Sequence, residues 1–213
     1  MNHYTAVEDL FIREQDIENT ASNVTEVTAT AANALTYQTA TNNGVYRLTT
    51  AGTVKGTAYA AGTRLKATVA STTLTFAVAA ASDVKGWLES GVRDWKRWGR
   101  DPSKDLGICA WVHGAKGLTA GAATVTLESS ADGETFTAVA SASGTAAGID
   151  RNGRLLFFLL PQSGLKQYVR VTVKVTTQFA KGGVATPVNL SVGLSNDAEH
   201  DIDASMVQPK IGG

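Results

Sequence analysis

Apolar and polar residues alternate strictly from Tyr168 to Val175. Val169, Val171, Val173 and Val175 fall on one side of a period-2 ribbon, and Tyr168, Arg170, Thr172 and Lys174 fall on the other. The pattern predicts a strand with one face buried and one in water. The same alternation turns Val188, Leu190, Val192 and Leu194 inward against Asn189, Ser191 and Gly193, and Val125 and Leu127 inward against Thr124, Thr126 and Glu128. Half-wet strands of this kind belong to antiparallel sheets. Asp132-Gly133, inside the stretch 129–134, supplies the positive-φ positions of a tight hairpin leading to a strand around Phe136. Residues 155–160 are all apolar and are stopped by Pro161, which fits a strand covered on both faces. Residues 105–197 therefore read as an antiparallel β-sandwich holding the main core.

Residues 22–35 are rich in Thr and Val with partial alternation and read as a first strand of that sandwich, whose domain becomes 22–36 plus 105–197. Asn42-Asn43-Gly44 opens a different rhythm. Residues 45–50, 53–59, 63–69 and 73–79 are short strand candidates about ten residues apart with turn signals between them, which predicts a β-meander. It belongs to an insertion, 37–104, that ends in a helix over 83–99. Residues 1–20 form an N-terminal arm and 198–213 a tail.

The predicted helix carries Val84, Trp87, Leu88, Val92, Trp95 and Trp98 in an arc of roughly 140°, with Lys85, Glu89, Arg93, Lys96, Arg97 and Arg100 opposite. Ser82 or Asp83 is its N-cap, and Gly99 with Asp101-Pro102 its stop. Gly86 and Gly91 weaken it by about 1 kcal/mol each, so packing of the tryptophans must hold it. That aromatic stripe either covers the sandwich or meets a partner, since Trp and Arg concentrate where chains bury surface. The candidate contact residues are Arg93, Trp95, Arg97, Trp98 and Arg100, joined by the apolar knot Leu10, Phe11 and Ile12 in the arm, which would dock on a neighbouring subunit.

Charge narrows the partners. Lys plus Arg number 19 and Asp plus Glu 19, so no global field drives binding to nucleic acid or membrane, and protein partners are expected. The first twenty residues are acidic and lack a long apolar run, against a secretory signal. The single Cys109 reads as a small buried hydrophobe and fits synthesis in a reducing cytoplasm. His3, His113 and His200 are scattered, and neither a zinc motif, a phosphate loop nor a nucleophile elbow is present, so no enzymatic site, metal or cofactor is expected. Asp197, Glu199, Asp201 and Asp203 are spaced as oxygen ligands, but Ile202 and Gln208 stand where a calcium loop needs Gly and Glu. They read as a solvated acidic tail.

One ordered set of residues carries a resemblance. Thr124-Val125-Thr126-Leu127-x-Ser129-Ser130-x-Asp132-Gly133-x-x-Phe136, then the aliphatic run ending in Leu160-Pro161, then Lys166-x-Tyr168-Val169-Arg170-Val171, then Phe179-x-x-Gly182 and the strand from Val188 to Leu194 resemble the jelly-roll capsid cement (decoration) proteins of tailed bacteriophages. The likeness covers about residues 105–197. It implies an all-β jelly-roll fold and a non-enzymatic virion protein that sits on the capsid exterior and stabilises contacts between major capsid subunits. It further implies a homotrimer made in the host cytoplasm, with the major capsid protein as partner. A carbohydrate-binding jelly-roll module, on a virion surface for example, is the alternative.

Overall fold

The computed structural model describes residues 10–17, 20–98, 106–150, 153–161 and 163–195. The first described element is β1 (Leu10–Ile17). A small module follows, made of β2 (Val24–Val27), α1 (Ala29–Ala34), β3 (Val45–Leu48), β4 (Gly52–Val54), β5 (Thr57–Tyr59), β6 (Arg64–Ala70) and β7 (Thr73–Val78). A linking stretch holds β8 (Trp87–Glu89), β9 (Arg93–Asp94) and the short helix α2 (Trp95–Trp98). The rest is β10 (Gly107–His113), β11 (Leu118–Ser130), β12 (Thr137–Thr145), β13 (Arg154–Leu159), β14 (Tyr168–Lys181), β15 (Val184–Ala185) and β16 (Val188–Ser195).

Two antiparallel sheets form the expected sandwich. One has the order β1-β16-β10-β13, the other β12-β11-β14-β15, with β8 and β9 also pairing with β14. The alternating residues point where their pattern predicts: Val169, Val171, Val173 and Val175 of β14 and Val125 and Leu127 of β11 share one core with Ile108 and Val112 of β10 and Leu190 and Val192 of β16. Each such side chain contributes roughly 1.5–3 kcal/mol by leaving water. β11 and β12 are the predicted hairpin across Asp132-Gly133. Cys109 is fully buried. At the far end of β11 the ladder shifts register around Gly121, whose φ of +134° and missing Cβ leave room for the buried ring of Phe179; a Cβ there would stand 2.1 Å from that ring. A Gly at an irregular strand position so close to a ring is the residue that the backbone permits.

Four expectations are corrected. The arm is no separate element where it is described: β1 hydrogen-bonds to β16 as an edge strand, and Phe11, Ile12 and Ile17 enter the core. Residues 24–27 form β2, which pairs in parallel with β3 inside the small module rather than with the sandwich. The stretch after it is α1, capped by the Thr28 hydroxyl accepting from the Ala31 N–H, with Ala29 and Ala32 turned to the module core. The helix over 83–99 is not formed. Trp87, Leu88 and Glu89 instead pair with Lys174, Val173 and Thr172, and among the described residues of that stretch only 95–98 is α-helical. Gly86 decides this locally: it has φ +58°, and a Cβ would sit 2.3 Å from the Thr20 carbonyl, a position closed to a helix interior. The unpaired edge of β14 supplied hydrogen bonds that outweighed an apolar arc already weakened by two glycines.

The meander is a four-stranded sheet of order β2-β3-β6-β7, with the residues 53–59 divided into a β4–β5 hairpin. One face packs on α1 through Leu48 and Leu65. The other turns Val24 and Val45 toward Trp87 of β8, and so rests on the edge of the sandwich.

Candidate functional site

The predicted contact residues separate into buried and exposed sets. Trp95 is 8% exposed and belongs to the sandwich core, held there by its N–H donating to the Gln167 carbonyl at 2.7 Å. Asp94 caps the turn: its Oδ1 accepts from the N–H groups of Lys96 (3.1 Å) and Arg97 (3.2 Å), and its Oδ2 from Gln167 Nε2 (3.3 Å). The Arg97 N–H bond, and then the Gln167 and Lys96 bonds, hold this carboxyl below its ordinary pKa. Phe11 and Ile12 are interior and Leu10 half-buried, so the apolar knot meets its own chain rather than a neighbour. What stays in water is cationic. Arg97 is 90% exposed with its Nε 3.9 Å from Asp94, Lys96 is exposed, and Arg93 lies on the surface where its guanidinium donates to the Leu10 carbonyl at 3.0 Å. Arg100 and the Trp98 side chain lie outside the described residues. Of the two groups singled out in sequence, the structure brings Arg93 and Leu10 into contact and leaves a basic edge.

A second assembly of charges went unseen in the sequence. Arg47 of β3 reaches Glu26 (2.7 Å), Glu89 (2.7 Å) and Glu128 (3.3 Å), while Arg170 of β14 reaches Glu128 (2.6 Å) and Glu89 (3.1 Å). Arg47 is 1% exposed and Arg170 6%, so both cations lie between the module and the sandwich. Burial works against the Arg47 charge, yet the fields of Glu89, Glu128 and Glu26 outweigh it and raise its pKa. Arg47 also stands 5.7 Å from the Trp87 ring, and Arg170 3.8 Å above the Phe136 ring. The expectation that Arg170 and Thr172 face water is thus corrected: they do leave the core side of β14, but both are buried, Arg170 against Glu89 and Glu128. The chemistry here is mechanical, since five side chains from five strands satisfy one another.

No family model, curated protein or solved structure matches this chain.

The third feature is a cavity of about 560 Å³ at the sandwich end, lined by His113, Lys116 and Asp150 above Val112, Leu118 and Ile149. His113 Nε2 lies 2.8 Å from the Ser191 hydroxyl, which also accepts the Glu14 N–H at 3.0 Å. That pair ties β1 and β10 to β16. Asp150 is turned to Arg154 at 3.1 Å and is only 8% exposed, so its carboxylate is engaged by its own chain. No Phe, Tyr or Trp side chain is among the residues that line the cavity. Among the described residues no group of His, Cys, Asp and Glu is placed to hold a metal ion.

Proposed function

We propose that this chain is a non-enzymatic structural protein of a phage virion, a jelly-roll cement protein that binds the outer surface of the capsid and ties neighbouring major capsid subunits together as a homotrimer. The observation that supports it is the physical union of the residues that carry the resemblance. Phe136 of the Ser-Ser-x-Asp-Gly-x-x-Phe hairpin lies under Arg170 of the Tyr-Val-Arg strand, a Cβ on Gly133 would touch the Tyr168 ring at 3.5 Å, and the Lys166 N–H donates to the Ser129 hydroxyl at 3.5 Å. Separately weak motifs thus form one packed unit on one sandwich. Interface area repeated over many copies raises the temperature or force needed to part capsomers, because whatever binds only the assembled state stabilises it. Arg93, Lys96 and Arg97 lie at the exposed edge that would meet acidic groups on a capsid subunit.

The test adds purified protein to capsids that lack it. The wild type is expected to bind and to raise the capsid melting temperature, and an Arg93→Ser, Arg97→Ser, Arg100→Ser variant to keep its own fold and lose binding. Full binding by the variant removes the basic edge from the contact, and a wild type that ignores such capsids removes the cement reading. The carbohydrate-binding alternative has only the cavity at His113 in its favour, and that cavity lacks the Phe, Tyr or Trp faces that sugar sites commonly use.

A further inference from the structure

The small sheet ends in a strand whose outer edge pairs with no other strand among the described residues. β7 closes the order β2-β3-β6-β7 and, among the described residues, pairs only with β6. Its backbone polarity follows from two observations. Both backbone groups of Ala67 point away from β7, since its N–H donates to the Gly44 carbonyl and its carbonyl accepts the Asn43 N–H, each at 2.9 Å. Ala67 is the partner of Phe76, so that pair is not hydrogen-bonded, whereas Ala79, one position past Val78 and therefore in the alternate phase, donates to the Arg64 carbonyl at 2.8 Å. In an antiparallel ladder the two pair types alternate, which turns the N–H and C=O groups of Leu74, Phe76 and Val78 outward. Val78 is 66% exposed, an unusual exposure for so apolar a residue on a strand.

Three other edges among the described residues are protected. β1 carries Arg13, Glu14 and Asp16 and shifts register twice. β12 has a bulge and runs against β13, where a Cβ on Gly144 would stand 2.4 Å from the Leu155 carbonyl. β2 is four residues long and carries Glu26. By contrast, residues 67–82 contain no charged residue and no proline. Charges, prolines and bulges are how proteins blunt strand edges, so an edge lacking all of them is a template for another strand.

We propose that β7 pairs with β7 of a second copy of this chain, antiparallel about a twofold axis at Phe76. The strand suits itself as a partner. Leu74, Phe76 and Val78 of one copy meet Val78, Phe76 and Leu74 of the other, so every outward donor finds an outward acceptor, no like charges are opposed, and Leu74 covers the exposed Val78. The pairing closes after two copies, because the far edge of the sheet is the short, charged β2. This contact goes beyond the cement reading and is visible without a capsid.

Sedimentation and light scattering of the full chain over a concentration series test it. Val78→Lys places a charge on the edge, and Val78→Pro removes an outward N–H without taking a bond from β6. Both variants are expected to keep the wild-type melting curve at the dilute end and to show at least a twofold lower mass when concentrated, whether the underlying unit is a monomer or a trimer. Equal masses for wild type and both variants overturn the proposal. The register has its own readout. Thr75→Cys and Ala77→Cys chains face each other only across the proposed axis, at a separation a disulfide spans, and the native Cys109 is buried. Mixed, they are expected to form the heterodimeric disulfide, and neither alone to cross-link. A drop in mass without that disulfide, or homodimers from either variant alone, overturns the twofold at Phe76.

Discussion

The interior of the sandwich and the seam between sandwich and module bury side chains by opposite means. Between the two sheets the contacts are Val, Leu, Ile and Phe, which need nothing from one another but fit. In the seam the largest fully buried side chain is Arg47, and it is tolerable there only because Glu26, Glu89 and Glu128 surround it. Taking a charge out of water costs several kcal/mol, and an ion pair roughly offsets this when its geometry is good. The comparison teaches that the apolar layer supplies stability, while the seam supplies orientation: many hydrophobic surfaces would glue the module to β14, but only one placement satisfies five charges at once.

The largest effects should come from truncating one member on either side. Phe179→Ala in the core is expected to cost about 3–5 kcal/mol in chemical denaturation through the cavity it leaves. Arg47→Leu is expected to cost a similar ~3–5 kcal/mol by a different route, since it strands the Glu128 and Glu89 carboxylates with Arg170 alone. The two routes separate in double variants. Adding Glu128→Leu to Arg47→Leu removes a stranded charge and should recover part of the loss, whereas adding Val171→Ala to Phe179→Ala should only add to it. A double seam variant as unstable as the sum of its single changes would make the seam an ordinary set of independent contacts.

A moderate contrast lies at α2. Trp95→Ala empties a place in the core and is expected to cost several kcal/mol. Arg97→Ser, on the same turn, is expected to change stability by no more than about 0.5 kcal/mol, as exposed ion pairs generally do. Equal melting temperatures for the two variants would return Trp95 to the surface contact that its place in the sequence suggested.

The same contrast explains what could be read in advance. Strands of the sandwich announce themselves, because Val169 to Val175 and Val188 to Leu194 bury one face and a period of two survives in the sequence. The hairpin was legible from Asp132-Gly133, whose turn chemistry is local. The arc from Val84 to Trp98 misled, since Trp87 and Trp95 are both buried, as a helix stripe would have them, but in two different clusters reached by separate strand and turn segments. Gly86 and Gly91 were the signal that the arc would break. The seam left almost no local trace: Glu26, Arg47, Glu89, Glu128 and Arg170 each look like an outward residue, and their meeting depends on the module folding back over β14. A buried arginine on a short apolar strand, Val45-Tyr46-Arg47-Leu48, is the only hint that the sequence holds.

The smallest expected effect concerns a charge held in the open rather than in the seam. Asp132, exposed in the β11–β12 hairpin, accepts the Ser130 hydroxyl at 2.6 Å and the N–H groups of Thr135 (2.8 Å) and Glu134 (2.9 Å). The Ser130 bond first, and then the two backbone bonds, favour the charged form and hold this carboxyl well below the usual carboxylate range. A pKa depressed by folding means that the native state resists protonation more than the unfolded chain does. The contribution is therefore complete above the unfolded value of about 3.9 and is lost as the pH falls from there through the folded value. Asp132→Asn keeps an acceptor for the turn but cannot titrate. It is expected to be slightly less stable than the wild type at neutral pH, and to lose less stability between about pH 4 and lower values, so that the two curves converge in acid. Parallel curves across that window, measured by urea denaturation at each pH, would show that the hairpin carboxylate is merely placed and not held.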